Sequence, residues 1–439
     1  MPLHKYDSLI RKIDKSGTPS LIQKFLSLER TPFRLAAPHV SHEERVRFFT
    51  EQLAIRTAYA YSAFSDPIIK ERLSWPTSTG LRWLQRVSQR EFVYCVGLQR
   101  AAENGLSTDS SDLSLSSSSC ATKSRYSYLL NTDDNSLVFD SISDGPQESD
   151  WRRPMKSQIT NHEEAERMLL KGDVNLEELP LDIALEILRP KQSLLDILVN
   201  ETSINSVEEN AWFSCFFRNH VSWRVMQEHL LHCIRPDVYP VVVCEDTDIP
   251  ELIKAAGDEV ADIFSNMQGE DHQGSLTINI DEDDTILGKE PEGHLFRSCD
   301  QPPITPISDR HPRTSRIYSV VGHYSYIFRE ILKNACVASL KTNTDTEINV
   351  KYTVDDEWVV VDVEDTAGGV PLKHGEKIWR FGWTTSEHFE SHLCGFGVGL
   401  STSKVYSDMW GGSIDVYSRV GKGTTVRVRL PKSPVEMLA

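Results

Sequence analysis

Several features that mark common classes of protein are missing from this sequence. Its 439 residues contain no apolar run long enough to span a bilayer, so we expect no membrane span. Positive charge is in deficit, and the net charge of −17 argues against nucleic acid or an anionic membrane as the main partner. None of the eight cysteines forms a CxxC pair, which argues against a zinc site and favours a reducing compartment. What is present is a hydrophobic content of 39%, enough for the cores of two domains.

The first half of the chain has the residue pattern of helices. Long apolar and aromatic side chains recur up to about residue 100 without the alternation of a strand, and the same pattern returns over residues 161–231. Residues 106–126 are rich in serine, and the chain stays polar to about residue 160. We therefore predict a helix bundle over residues 1–235, interrupted by a disordered insert at about 105–160.

The second half, residues 236–439, mixes strand and helix patterns. Two pairs of β-branched runs, each pair joined by a short turn, predict hairpins: INVKYTV with EWVVVDVED, and SIDVYSRV with TTVRVRLP. A helix is predicted at about 319–340, and residues 285–312 are expected to form a loop. The fold class is therefore α+β, a helix bundle followed by an α/β sandwich of mostly antiparallel strands covered by helices.

The helix at 319–340 carries three polar residues close to one stripe: His323, Glu330 and Asn334. A glutamate in this position can accept a proton from an attacking hydroxyl group, and an asparagine oxygen is a hard ligand that suits Mg²⁺. His323 lies two turns before Glu330 and is expected to hydrogen-bond to it, directly or through water. The alternative is an ordinary polar helix face, with Glu330 and Lys333 solvated.

Two glycine-containing segments follow this helix. A strand ends at Asp365, whose carboxylate suits an adenine amino group, and Gly368 and Gly369 would let the backbone approach a ring. The simpler interpretation of this segment is a plain Asp/Gly turn.

The second segment, Gly395-Phe396-Gly397-Val398-Gly399, precedes a helix that opens near Leu400. Backbone N–H groups at such a start can hold phosphate oxygens. Residues 371–393 would form a lid with Thr384 and Thr385 near a nucleotide. Thr424, in a later hairpin turn, is also within reach of one.

In this order, the motifs resemble the GHKL ATP-binding fold shared by gyrase, Hsp90, MutL, histidine kinases and the mitochondrial 2-oxoacid dehydrogenase kinases. The pattern HxxYxxxExxKNA, with Tyr326 and Lys333 in place, is similar to the last subgroup. So are GGVP at 368–371 and GFGxGL at 395–400. FFRNHVSWRVMQEH at 216–229 resembles the helix that ends that subgroup's N-terminal bundle.

This resemblance implies a protein serine kinase that uses ATP and Mg²⁺. Glu330 would be the general base, His323 would assist it, and Asn334 would hold the metal. The nucleotide would contact Lys333, Asn334, Asp365, Gly368, Gly369, Thr384, Thr385, Gly395, Phe396, Gly397, Val398, Gly399, Leu400 and Thr424.

The implied substrate is the E1 component of a 2-oxoacid dehydrogenase complex, most simply pyruvate dehydrogenase, which phosphorylation would inactivate. The E2 lipoyl domain would be a second partner, the protein would be a homodimer, and its location would be the mitochondrial matrix. The basic N-terminus, MPLHKYDSLIRKIDKSG, fits either a targeting segment or an ordinary first helix.

The sequence departs from the family pattern in four respects, and two other functions stay open. Ala367 stands where a third glycine is expected, Val337 where an arginine is usual, and Trp223 where an isoleucine is usual. The segment after Leu430 is also short for the tail that helps relatives dimerise. A docking protein with weak nucleotide binding is one alternative. A histidine kinase with His42 as phosphoacceptor is the other, although His42 is distant from Asn334 in sequence.

Overall fold

A computed structural model describes residues 18–33, 42–74, 79–105, 206–234, 239–267, 275–297, 316–340, 346–385, 397–434 and 436. The predicted insert lies outside these residues from position 106 onward. The predicted domain boundary also falls among residues outside them, at 235–238, and stays a prediction. Within the described ranges, no helix is long and apolar enough to cross a membrane.

Helices are the regular elements in the described part of the first half. They are α1 (Thr18–Leu26), α2 (His42–Ala63), α3 (Pro67–Leu73), α4 (Thr79–Gly105) and α5 (Val207–Ile234). Helix α2 packs against both α4 and α5.

Local chemistry explains where two of these helices begin. Asp66 caps α3 by accepting a hydrogen bond from the Ile68 amide, and Pro67 occupies the first turn, where its missing N–H is not needed. Ser206 and Glu209 bond reciprocally at the start of α5, as a capping box does. Helix α5 then buries side chains on several sides, including Phe217, Trp223 and Leu231.

The described part of the second half contains both strands and helices. The strands are β1 (Val243–Asp248), β2 (Leu276–Glu282), β3 (His294–Phe296), β4 (Arg316–Val320), β5 (Thr346–Val354), β6 (Trp358–Asp365), β7 (Ser413–Arg419) and β8 (Gly423–Pro431). The helices are α6 (Ile249–Met267), α7 (Val321–Leu340) and α8 (Gly399–Met409). Short 3₁₀ turns span Asp284–Ile286, Leu372–His374 and Lys377–Trp379.

Six of the strands form one sheet in the order β2-β5-β6-β8-β7-β3, and β1 pairs with β4 separately. Only the β2–β5 pair in the large sheet is parallel; the other pairs are antiparallel. Both predicted hairpins are confirmed as β5–β6 and β7–β8. The α+β fold class is also confirmed.

Two boundaries differ from the prediction. The segment 285–312 is not all loop, because β3 lies within it and pairs with β7 at the sheet edge. Three residues are too few to show strand alternation, so local pattern could not reveal β3. The helix predicted from 319 begins at Val321, because Ser319 and Val320 belong to β4.

The large sheet has one apolar and one charged face. Val359, Val361 and Val363 alternate along β6 on the face covered by α7 and are at most 2% exposed. Asp362 points to the other face, where Arg427 of β8 donates two hydrogen bonds to its carboxylate, at 2.6 and 2.5 Å. Helix α7 packs between α6 and α8, and of its polar stripe His323 and Glu330 are buried.

One hydrophobic core continues from the bundle into the second half. Phe33 contacts Trp410 edge to face, and Phe213 of α5 contacts Phe381 in the same way. Near the end of the chain, the carboxylate of Glu436 reaches into the bundle and accepts hydrogen bonds from Arg56 and from other donors nearby. The bundle and the sheet domain are therefore joined both by apolar contacts and by a buried ion pair.

Candidate functional site

Helix α7 places the candidate base in a buried position. Glu330 is 5% exposed and Lys333 is 4% exposed, whereas Asn334, one turn beyond Glu330, is exposed. The alternative of a solvated polar face for Glu330 and Lys333 is therefore wrong. A buried carboxylate needs compensating charge or hydrogen bonds, because desolvation of an unpaired ion costs several kcal/mol.

The two oxygens of the Glu330 carboxylate have different surroundings. Lys333 Nζ lies 2.7 Å from Oε1, and Arg329 Nε lies 3.8 Å from the same oxygen. The other oxygen, Oε2, faces Gly399 so closely that a Cβ at that position would overlap it. One oxygen of Glu330 is thus held by Lys333, with Arg329 farther away, while the second points at the start of α8, beside the glycine-rich loop.

His323 has a different partner from the one expected. Its ring is fully buried, stacks on Tyr406 with 4.0 Å between ring centroids, and accepts a hydrogen bond from Trp410 Nε1 at 3.0 Å. Seven residues of helix rise about 10.5 Å, so a direct bond to Glu330 is out of reach. Burial lowers the pKa of His323 to about 3, which keeps the ring neutral. The expectation of a direct bond to Glu330 is corrected, and the geometry shows His323 anchoring α7 to α8.

Asp365 ends β6 and organises the turn that follows. Its Oδ1 accepts hydrogen bonds from the amides of Ala367 at 2.8 Å and Thr424 at 3.3 Å. Burial raises the pKa of Asp365, and these hydrogen bonds oppose the rise. The Asx turn formed with Ala367 shows that alanine in place of glycine keeps this contact.

The two glycines after Asp365 meet different constraints. Both have left-handed backbone, with φ of 85° at Gly368 and 78° at Gly369. A Cβ at Gly369 would collide with the carbonyl of Arg419, whereas a Cβ at Gly368 would meet nothing within 4 Å. The turn therefore packs against the β7–β8 hairpin, and the Gly368 amide donates to the Lys422 carbonyl.

A small apolar cluster lies next to this turn and was missed by sequence reasoning. Val426 follows Thr424 by two positions on β8, so it shares the sheet face of Asp365 and Val363. The cluster combines Phe296, Ile378 and Val416 with Val370, Trp379, Trp383, Leu400 and Val426. An apolar floor beside a carboxylate suits a flat heterocycle with an exocyclic amino group. The only sequence signal was the alternation of β7 and β8, because the members come from separate elements.

The glycine-rich loop is described from Gly397 onward. Gly395 and Phe396 lie outside the described residues, as do 386–393 of the expected lid. Gly397 has φ of 74°, and a Cβ there would collide with the carbonyl of Trp383. The Gly382 amide donates to the Gly397 carbonyl at 3.0 Å, which brings Trp383 close to the start of α8; Thr384 and Thr385 follow Trp383 in the chain.

Helix α8 opens directly after this loop, at Gly399 and Leu400. Its N-cap residue is Val398, which makes no side-chain cap hydrogen bond. The first amides of the helix are thus not satisfied by a capping side chain, and together with the helix dipole they favour an anion.

Helix α7 carries one side chain that suits the predicted metal ion. The Asn334 side chain is exposed and carries an amide oxygen, a ligand type that Mg²⁺ accepts. Among the described residues, no group of three or more His, Cys, Asp or Glu side chains could hold a metal ion. The residues therefore fit an ion that takes one protein ligand and completes its shell from phosphate and water.

Comparisons with known proteins agree with this geometry. Residues 322–434 match the family described as "Histidine kinase-, DNA gyrase B-, and HSP90-like ATPase", which confirms the GHKL resemblance. The mouse protein "[Pyruvate dehydrogenase (acetyl-transferring)] kinase isozyme 1, mitochondrial" is 27% identical over 171 residues, 35% of this chain and 39% of that protein. The human isozyme 4 is 25% identical over 186 residues, 38% of this chain and 45% of its own. The chain thus spans less than half the length of these relatives.

Proposed function

We propose that the GHKL ATPase domain of this chain serves a protein kinase that phosphorylates serine on the E1 component of a 2-oxoacid dehydrogenase complex. The observation that carries the proposal is the Glu330 carboxylate, buried, held at one oxygen by Lys333 and directed at the other toward Gly399. A carboxylate with one oxygen facing a candidate phosphate loop is placed to act on a hydroxyl group at the γ-phosphate.

The residues around Glu330 supply positions for each part of ATP. Asp365 and the apolar cluster beside it would hold adenine, with Thr424 at the same turn. The amides at Gly397, Val398, Gly399 and Leu400 would hold phosphate oxygens at the start of α8. Gly368, Gly369, Thr384, Thr385, Gly395 and Phe396 complete the proposed nucleotide site, and Lys333 acts on it only through its ion pair with Glu330.

The metal has a single proposed protein ligand. Asn334 would hold Mg²⁺, which when bound neutralises phosphate charge. Lys333, although adjacent in sequence, is turned inward to Glu330 and acts on the carboxylate.

The proposed transfer step uses the two oxygens of Glu330 separately. Oε2 accepts the proton of the substrate serine as the serine oxygen bonds to the γ-phosphorus, and the bond from that phosphorus to the ADP oxygen breaks. Oε1 remains bonded to Lys333, which fixes the orientation of the carboxylate during the transfer. His323 contributes through packing, because its stack on Tyr406 and its bond from Trp410 hold α7 against α8.

The identity of the target rests on the relatives. Their printed names specify pyruvate dehydrogenase and mitochondria, so we propose pyruvate dehydrogenase E1 as the substrate and the mitochondrial matrix as the location. Docking to an E2 lipoyl domain and homodimer formation are proposed from the family resemblance alone.

The direct test is incubation of the full chain with Mg-ATP and, in separate reactions, purified pyruvate and branched-chain E1 components. We expect acid-stable phosphate on serine of the pyruvate E1. Glu330→Gln should abolish this transfer while nucleotide affinity is kept, and Asn334→Ala should weaken Mg-ATP binding. Glu347→Gln, an exposed glutamate on β5, is the matched control and should leave the transfer unchanged.

Three other outcomes would contradict parts of this proposal. Full activity in Glu330→Gln would refute the assignment of the base. Acid-labile phosphate on His42 would favour a histidine kinase. Nucleotide binding with no transfer, unchanged by Glu330→Gln, would favour a docking protein.

A further inference from the structure

A second, largely buried acid lies beside the candidate base and comes from a different helix. Glu259, on α6, accepts a hydrogen bond at Oε1 from Arg329 Nη1 at 3.2 Å. Its other oxygen, Oε2, is fully covered and has no hydrogen-bond partner among the described residues. Burial raises the pKa of Glu259, while the charge of Arg329 opposes the rise. A carboxylate in this setting depends on Arg329 for its compensation.

Arg329 is shared between two carboxylates. Its guanidinium bonds to Glu259 through Nη1, and its Nε lies 3.8 Å from Glu330 Oε1, beyond hydrogen-bond distance. The group is only 7% exposed and lies over the Tyr326 ring, with 5.3 Å from Cζ to the centroid. Burial acts to lower the pKa of Arg329, but the charges of Glu259 and Glu330 outweigh it and raise the pKa.

We propose that Glu259 is a positioning residue for the Glu330 base, because it holds the Arg329 guanidinium away from the Glu330 carboxylate. This inference rests on the proposed function, since it assigns a task to the surroundings of the proposed base. The cluster contains two carboxylates and two cations, Lys333 and Arg329, and all four side chains are at most 16% exposed. It is electrically balanced only while Glu259 is ionised.

Loss of the Glu259 charge should redirect Arg329. The guanidinium would then have only the Glu330 carboxylate within reach. Glu330 would be bonded to two cations, Lys333 and Arg329, instead of to Lys333 alone. A second cation at hydrogen-bond distance lowers the proton affinity of a carboxylate. A base of lower proton affinity is a weaker acceptor of the serine proton, so transfer slows while ATP binding is preserved.

The kinetic test uses the full chain with Glu259→Gln, which keeps the size of the side chain and removes its charge. We expect kcat for phosphoryl transfer to fall by about ten- to a hundredfold, and KM for ATP to change less than about twofold. Adding Arg329→Gln removes the surplus cation and should restore most of the lost rate. Asp258→Asn, an exposed neighbour on α6, makes the same change in net charge and should have no effect.

Rescue by the double substitution separates this idea from a purely structural role. If Glu259 only stabilised the fold, removing Arg329 as well would restore no activity. An unchanged kcat in Glu259→Gln, or a loss that the double variant does not recover, would overturn the proposal. Glu259→Asp retains the charge and should keep most of the rate.

A second measurement does not depend on any activity. Thermal unfolding is recorded for Glu259→Gln in the parent protein and in a Glu330→Gln background. If the two carboxylates share Arg329, the substitution should destabilise more in the Glu330→Gln background, where no carboxylate remains for the guanidinium. Additive effects would refute the sharing. A parent protein that does not phosphorylate E1 but shows this coupling would refute the proposed function, while the sharing of Arg329 by the two carboxylates would stand.

Discussion

Replacing Gly399 by alanine should damage the protein, although the substitution lies in a helix where alanine is normally preferred. Gly399 is the first residue of α8, and a Cβ there would overlap Oε2 of Glu330 and lie 3.1 Å from its Cδ. The carboxylate is fixed at Oε1 by Lys333 at 2.7 Å, so it cannot turn away without losing that bond. Either the ion pair breaks or α8 moves.

The expected cost follows from the kind of clash. Overpacking a closely packed site costs typically about 1–3 kcal/mol, and here the group displaced is a buried ion. We expect Gly399→Ala to lower the free energy of unfolding by about that amount. Phosphoryl transfer should fall about as far as in Glu330→Gln, since general-base assistance contributes roughly a factor of 10²–10⁴.

Gly257 offers a matched control within α6. A Cβ at that position would meet the Ile278 side chain at 3.6 Å, an ordinary van der Waals contact. Gly257→Ala should therefore stabilise the protein by about 0.5–1 kcal/mol, the usual gain from removing an interior helix glycine. The same substitution, glycine to alanine, is thus expected to lower the free energy of unfolding at position 399 and to raise it at position 257.

The assay is urea unfolding of both alanine variants, repeated in a Glu330→Ala background. Without the Glu330 carboxylate, the added methyl group has nothing to overlap, and Gly399→Ala should lose most of its cost. The reasoning is refuted if Gly399→Ala destabilises equally in both backgrounds, or if it stabilises as Gly257→Ala does.

Three further predictions concern other parts of the molecule. Glu436→Gln should lower the free energy of unfolding by about 3–5 kcal/mol in urea titrations, because it leaves Arg56 buried without its carboxylate. Asp365→Asn should weaken ADP binding at least about tenfold by calorimetry, with the fold kept because an amide oxygen can still accept from Ala367. Stability should fall as pH drops below 6.5, since the unfolded chain then binds a proton that the fully buried His323, with a pKa of about 3, does not bind; at pH 5.5 the loss is about 1.4 kcal/mol by thermal unfolding. A stability that is flat between pH 7.5 and 5.5 would contradict the last prediction, and unchanged ADP affinity would contradict the second.

Local pattern was sufficient for the parts of the fold that depend on neighbours in sequence. The β5–β6 and β7–β8 hairpins follow from alternation and short turns, and both are confirmed. That Glu330 and Asn334 lie near one stripe of a helix follows from their four-residue spacing. The ordered motifs also identified the ATPase family that residues 322–434 match. The expectations that failed concerned contacts between particular side chains, such as the direct hydrogen bond expected between His323 and Glu330.

The chemical state of the site depends on contacts between residues far apart in the chain. Trp410 and His323 are separated by 87 positions, Arg329 and Glu259 by 70, and Arg56 and Glu436 by 380. No periodicity records such a pairing, because a helix or strand pattern shows which face is buried but not what covers it.

Residue types and their spacing were thus enough to indicate an ATP-binding α+β domain with an acid and an amide on one helix. Packing of α6 and α8 around α7 then made the acid a buried carboxylate with one oxygen fixed and one directed at Gly399. Desolvation and distance set the strength of a charge, and both depend on which elements surround it.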